Sequence, residues 1–168
     1  ATDRNLQGRF TFDRAGGVLE NGEQDQLYLN RGQGRFEAAG WTNGWFLDEA
    51  GHPSISPPYD WGLSAMFRDL NGDGWPDLYV CNDFESPDRF WINQTQPGGP
   101  LRFRAVTSDA WRQTSAFSMG IDVADVNRDG VPDFFVVDML SRNHAERNAQ
   151  VSGLPLSQIH PGEFLDRP

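Results

Sequence analysis

The chain has 168 residues and a formal charge of −10, with 38% hydrophobic and 12% aromatic residues, eighteen glycines and eleven prolines. That balance suits a globular, turn-rich β protein with a real core rather than a disordered chain. It argues against nucleic-acid binding, because no basic stripe is available to neutralise phosphates, and against a membrane-spanning helix, because no run approaches about 18 apolar residues.

In chain order, Gln26 to Asn30 and Arg35 to Ala38 are short alternating runs around a Gly-rich turn and read as a hairpin. Trp41 to Tyr59 follows, with Asn43-Gly44, Gly51-His52-Pro53 and Ser56-Pro57-Pro58, and is expected to be a surface loop. Its rings, Trp41, Trp45, Phe46 and Tyr59, suit either a ligand platform or a cover for the edge of a sheet. Four strands are expected next, over Ser64 to Arg68, Asp77 to Cys81, Arg89 to Asn93 and Leu101 to Val106. Two more follow at Met119 to Ala124 and Pro132 to Leu140. The tail, 141–168, reads as irregular, with a short helix expected over Asn143 to Val151.

Two of the turns carry the chemistry. Asp69-Leu-Asn-Gly-Asp-Gly-Trp-Pro-Asp-Leu-Tyr-Val80 recurs as Asp125-Val-Asn-Arg-Asp-Gly-Val-Pro-Asp-Phe-Phe-Val136, beginning 56 residues later. Both copies keep Asp, Asn, Asp, Gly, Pro, Asp and Val at positions 1, 3, 5, 6, 8, 9 and 12, while Gly72 is exchanged for Arg128. Calcium takes about six to eight oxygen ligands, so a short loop holds it by aiming oxygens inward at alternate positions. The expected ligands are Asp69, Asn71, Asp73, the Trp75 carbonyl and Asp77 in the first loop. In the second they are Asp125, Asn127, Asp129, the Val131 carbonyl and Asp133, giving two calcium sites. Gly74 and Gly130 suit the sharp turn that brings the next carbonyl round. Aspartates crowded together without a cation repel by roughly 4 kcal/mol per pair at about 4 Å and an effective dielectric of about 20.

Solvated turns are the bland alternative, since Asp, Asn and Gly are common turn formers. An EF-hand or dockerin loop is the sharper one, but Val80 and Val136 stand where an EF-hand needs a bidentate Glu. Pro76 and Pro132 then lead into β-prone runs, so each loop is expected to feed a strand.

These residues resemble the FG-GAP or VCBS repeats, the calcium-loop blades of integrin-α-like β-propellers. The resemblance is nearest to bacterial proteins of the cartilage-acidic-protein type that often carry an ASPIC/UnbV segment. Ser118-Met-Gly-Ile-Asp-Val-Ala-Asp125, Val136-Val-Asp-Met-Leu140 and Leu27-Tyr-Leu-Asn-Arg-Gly-Gln-Gly-Arg-Phe36 also support it. It implies an all-β fold of antiparallel four-stranded blades over 1–140, with one complete blade at 64–106 flanked by two half-blades. It also implies a non-catalytic, calcium-stabilised platform for adhesion or for a protein or glycan ligand, with an extracellular, periplasmic or cell-surface address. One blade and two halves do not close a ring of about four to eight blades, so a longer protein, or self-association through the incomplete blades, is expected.

For catalysis, His52, His144 and His160 have no metal-ligand spacing, and there is no Gly-x-Ser-x-Gly elbow or Walker loop. Glu20, Glu23, Glu37, Asp83 and Glu85 show no spacing that favours a catalytic carboxylate pair over solvated turns. A segment of a propeller-type carbohydrate-active enzyme remains the alternative class. Cys81, the single cysteine, allows no internal disulfide and is expected to be buried in a strand. Asn93-Gln-Thr95 fits a glycosylation acceptor by pattern alone.

Overall fold

The computed structural model describes residues 10–12, 14, 18–83, 86–107, 110, 115, 117–139 and 141–143. The chain divides into two units, Ala1–Asp138 and Met139–Pro168. In the second, the Asn143 amide donates to Ser141 Oγ at 3.1 Å, and the helix expected from Asn143 to Val151 lies otherwise outside the described residues.

The first unit is built of β-strands. Its centre is a five-stranded sheet of β5 (Phe46–Leu47), β6 (Trp61–Arg68), β7 (Asp77–Asp83), β8 (Arg89–Asn93) and β9 (Phe103–Ala105), in the order β5-β9-β8-β7-β6. β6 to β9 form an antiparallel meander and correspond to the four strands expected of one blade. Arg68 pairs with Asp77 at the turn and Trp61 with Asp83 at the far end, with a bulge between Gly62 and Ser64. Ahead of this sheet lie β1 (Phe10–Phe12) with β2 (Val18–Glu20), and β3 (Leu27–Asn30) with β4 (Phe36–Ala39), each a separate antiparallel pair. After it come β10 (Ser118–Ala124) and β11 (Asp133–Asp138), again a pair.

β7 lies between two paired neighbours, and all seven of its residues are buried. A strand covered on both faces needs no polar alternation, which explains the unbroken run Leu78-Tyr-Val-Cys81. One face carries Leu78 and Val80 into the core with Trp41, Phe46, Trp91 and Phe103. On the other, the Tyr79 ring meets Phe134 of β11 at 5.8 Å, and Cys81 is fully buried as expected.

The segment from Trp41 to Tyr59 corrects the sequence reading. Trp41 and Phe46 are core residues rather than parts of a surface loop or ligand platform. Their rings stack at 3.9 Å, Phe46 meets Phe103 at 5.7 Å, and Trp41 meets Trp91 at 5.8 Å. One wide helical turn over Trp41–Trp45, kinked within by Gly44 at φ 85°, swings the chain so that β5 joins β9 in parallel, Phe46 opposite Phe103. The blade therefore has a fifth strand. Ring stacking and burial place it there, whereas a two-residue strand has too short a pattern to be read from sequence. Tyr59, at 53% exposed, is the ring of this group that does face solvent.

Candidate metal loops

Both repeated loops join antiparallel strands, β6 to β7 and β10 to β11, as expected. The first is closed by its own aspartates. Asp69 Oδ1 accepts from the amides of Gly72 at 2.8 Å and Asp73 at 3.1 Å, and its Oδ2 accepts from Gly74 at 2.8 Å. Asn71 Oδ1 accepts from the Asp73 amide and Asp73 Oδ1 from the Trp75 amide, while Asn71 Nδ2 donates to Asp73 Oδ2 at 2.9 Å. Asp77 Oδ2 takes the Leu70 amide, which ties position 9 back to position 2.

The second loop repeats the pattern. Asp125 accepts from the amides of Asp129 and Gly130, Asn127 Oδ1 from Asp129, and Asp129 Oδ1 from Val131. Asn127 Nδ2 donates to Asp129 Oδ2, and Asp133 Oδ2 accepts from Val126. Gly74 and Gly130 take φ values of 87° and 85°, the left-handed conformation expected of them. Gly72 and Arg128 share a left-handed backbone as well, at φ 77° and 63°, so the exchanged position keeps its conformation although it changes residue.

Loop one is anchored to a neighbouring strand in a further way. Asp77 is fully buried, and its Oδ1 accepts from the Asn93 amide of β8 at 2.8 Å. Burial is the largest influence on the Asp77 carboxyl and raises its pKa; the Asn93 and Leu70 amides oppose this, and Asp73 and Asp69 add to it. Asp129 is lowered instead, chiefly by the Val131 amide and the Asn127 side chain. The difference follows from position, the buried start of an interior strand in one case and an open turn in the other.

The donor set of each loop is oxygen only, with three carboxylates, and among the described residues none of them forms an ion pair with a basic side chain. Such a set suits a hard cation. Among the described residues no three His, Cys, Asp or Glu side chains stand close enough to hold a metal by themselves, and here the loop carboxylates face backbone amides.

A second polar group, at the opposite end of β7, has no motif in the sequence to announce it. Asp88 accepts from the Tyr79 hydroxyl at 2.7 Å, the Asn82 amide at 2.8 Å and the Ser118 hydroxyl at 2.7 Å. Burial, followed by the bond to Asp88, raises the Tyr79 phenol, and burial pushes Cys81 up to about 11. Asp60, joined to Arg89 by an ion pair, takes Asn82 Nδ2 at 3.0 Å. His52 is exposed beside Asp48, with 3.4 Å between Nδ1 and Oδ2, while His144 and His160 lie outside the described residues.

Antiparallel blade sheets in which a repeated acidic loop joins two neighbouring strands define a β-propeller-like repeat protein. Two stretches, residues 16–80 and 69–136, match the FG-GAP-like repeat and together span well over half of the chain, which belongs to that family. Neither the curated proteins nor the solved structures contain a match. No helix among the described residues is long and apolar enough to cross a membrane.

Proposed function

We propose that the chain is a calcium-stabilised, non-catalytic interaction module that works outside the cytoplasm and presents a surface to a protein or glycan ligand, as in repeat proteins of the cartilage-acidic-protein type. The observation that carries this reading is the recurrence of one hydrogen-bond pattern in two loops rich in uncompensated carboxylates. Asp69, Asn71, Asp73, Asp77 and the Trp75 carbonyl would hold one ion; Asp125, Asn127, Asp129, Asp133 and the Val131 carbonyl would hold the other. A bound ion would supply positive charge among the three aspartates of a loop and tie together the strands on either side of it. On Asp73 Oδ2 and Asp129 Oδ2 it would take the place of the Asn71 and Asn127 amide donors.

An ion that binds the folded form alone stabilises it by roughly 1.4 to 2.7 kcal/mol per site at about 10 to 100 times its dissociation constant. Extracellular calcium would keep weak sites filled where cytosolic calcium would not. Thermal unfolding in chelator and then in rising calcium, with magnesium as control, tests the reading. A calcium-specific rise in Tm, reduced in both Asp73→Ala and Asp129→Ala, is expected; an unchanged Tm leaves two ordinary turns. The outer edge of β11 has no strand partner among the described residues, and Phe135 and Val137 beside it are exposed. That edge supports self-association through incomplete blades.

A further inference from the structure

The finished blade of β6 to β9 is a template for the two half-blades beside it. β3 and β4 repeat β8 and β9: Asn30 pairs with Phe36 as Asn93 pairs with Phe103, and Asn30 Oδ1 accepts the Gly32 amide as Asn93 Oδ1 accepts that of Thr95. β10 and β11 repeat β6 and β7 around the second acidic loop. Among the described residues neither β3 nor β11 has a strand on its outer edge. Each half supplies the strands that the other lacks.

Side chains on the two open edges match in the same way. Trp91 is 5% exposed and Tyr79 3%, whereas their counterparts Tyr28 and Phe135 are 58% and 69% exposed. In the finished blade Asp77 Oδ1 accepts the Asn93 amide, and Asn93 Nδ2 donates to the Pro76 carbonyl. The corresponding atoms, Asp133 Oδ1 and Asn30 Nδ2, have no partner among the described residues. One is an acceptor and the other a donor.

A cavity of about 250 Å³ marks where a ring is missing. Tyr79 sits among Phe90, Phe134 and Asp88, and Asp88 also takes the Ser118 hydroxyl. One blade earlier the same positions hold Leu27, Leu78, Asp25 and Gly62, and all four line the cavity. It is therefore the vacant Tyr79 position of the first half-blade, with the surroundings of an aromatic ring carried on a strand beside β3.

We propose, resting on the reading of incomplete blades above, that a second copy of this chain supplies that strand. β11 of the partner pairs with β3 in the register of β7 on β8, so that Phe134 lies opposite Tyr28, Phe135 opposite Leu27 and Val136 opposite Gln26. The partner's Phe135 fills the cavity. Asn30 gives its amide to the partner's Asp133 and its Nδ2 to the carbonyl of the partner's Pro132, which anchors the second acidic loop as Asn93 anchors the first. Asp25 takes the amide of the partner's Asp138, as Asp88 takes that of Asn82. The contact joins unlike edges, so copies follow one another round a ring. Each copy adds one finished and one shared blade, and a propeller of about four to eight blades closes with about two to four copies.

Sedimentation velocity of the full chain in calcium, over a wide range of concentration, tests it. One closed species of about two to four copies is expected. Phe135→Asp changes a side chain that is exposed in the single copy, and should leave folded monomers by circular dichroism. Asn30→Asp keeps the oxygen that accepts Gly32, removes the Nδ2 donor and should weaken assembly by on the order of tenfold. For the register, Gln26→Cys and Val136→Cys chains, mixed while dilute and then concentrated, should join by a disulfide, whereas Val136→Cys alone should not. Monomers at every concentration, growth without closure, assembly by folded Phe135→Asp, or cross-linking of Val136→Cys to itself overturns the proposal. A calcium-specific rise in Tm in a chain that stays monomeric sinks this proposal alone; closed assembly without a calcium response keeps it and sinks the metal sites.

Discussion

Asp77 and Asn93 hold each other's strand: Asp77 Oδ1 accepts the Asn93 amide at 2.8 Å, and Asn93 Nδ2 donates to the Pro76 carbonyl at 2.9 Å. The pair fastens the end of the first acidic loop to β8. Asp133, the counterpart of Asp77, accepts the Val126 amide in an exposed setting and shows no such bond to a third strand among the described residues.

The two aspartates should therefore differ in the absence of metal. Asp77→Ala leaves the Leu70 and Asn93 amides without their acceptor, at about 1 to 3 kcal/mol for each donor that stays buried. Asp133→Ala exposes its donor to water and should cost less than about 1 kcal/mol. Urea unfolding in chelator measures both. Equal losses would mean that the bond to β8 adds nothing.

Arg128 stands at φ 63°, where its counterpart is Gly72 at φ 77°. A side chain in the left-handed region costs roughly 1 to 2 kcal/mol, and glycine returns part of the relief through a more flexible unfolded chain. Arg128→Gly should accordingly stabilise the second loop by about 0.5 to 1 kcal/mol, and Gly72→Arg should destabilise the first by a similar amount. Tm values of the two variants, in chelator, check the sign of each.

Much of this architecture was legible because it is local. The repeat fixed both turns, and the alternating or continuous apolar runs around them placed β6 to β11 within a few residues. The pair β1 and β2, three residues each, carries too little pattern to be read from sequence. β5 was missed because a non-local contact makes it a strand: Phe46 lies opposite Phe103. The polar group at the other end of β7 was hidden for the same reason, with Asn82 bonded to Asp60, 22 residues away, and Ser86 to Glu20, 66 away.

Asp25 gives a pH-dependent prediction. Burial, and then the charge of Asp60, raise its pKa, with Arg89 opposing. A carboxyl whose folded pKa lies above its unfolded value adds stability at pH below the unfolded value, and that stability is lost as pH rises through the folded one. Asp25→Asn should therefore leave the protein more stable than wild type at neutral pH, and the advantage should disappear on acidification through the carboxylate range. Unfolding free energies across that range measure it. A constant difference would show that the Asp25 charge is not the cause.

Cys81 is fully buried with its thiol pushed up to about 11, by burial first and then by Asp88. From an ordinary value of 9.0, that leaves about a hundredfold less thiolate at neutral pH. A disulfide reagent at mildly alkaline pH should not label the folded chain, and labelling in denaturant should follow unfolding. Rapid labelling under native conditions would mean that β7 opens locally.

Phe46 distinguishes a core from a display surface. It is 0% exposed, stacked on Trp41 and Phe103 and edge-on to Trp91. Phe46→Ala removes a ring that nothing nearby can replace, at about 3 to 5 kcal/mol, a large share of the roughly 5 to 15 kcal/mol that holds a domain folded. Leu63→Ala, at a side chain 51% exposed on β6, should stay within about 0.5 kcal/mol. Denaturant midpoints of the two variants decide the matter. A ring on a binding surface could be removed with little effect on folding, whereas one that clamps β5 to β9 cannot, and a small loss for Phe46→Ala would return the aromatic segment to the surface.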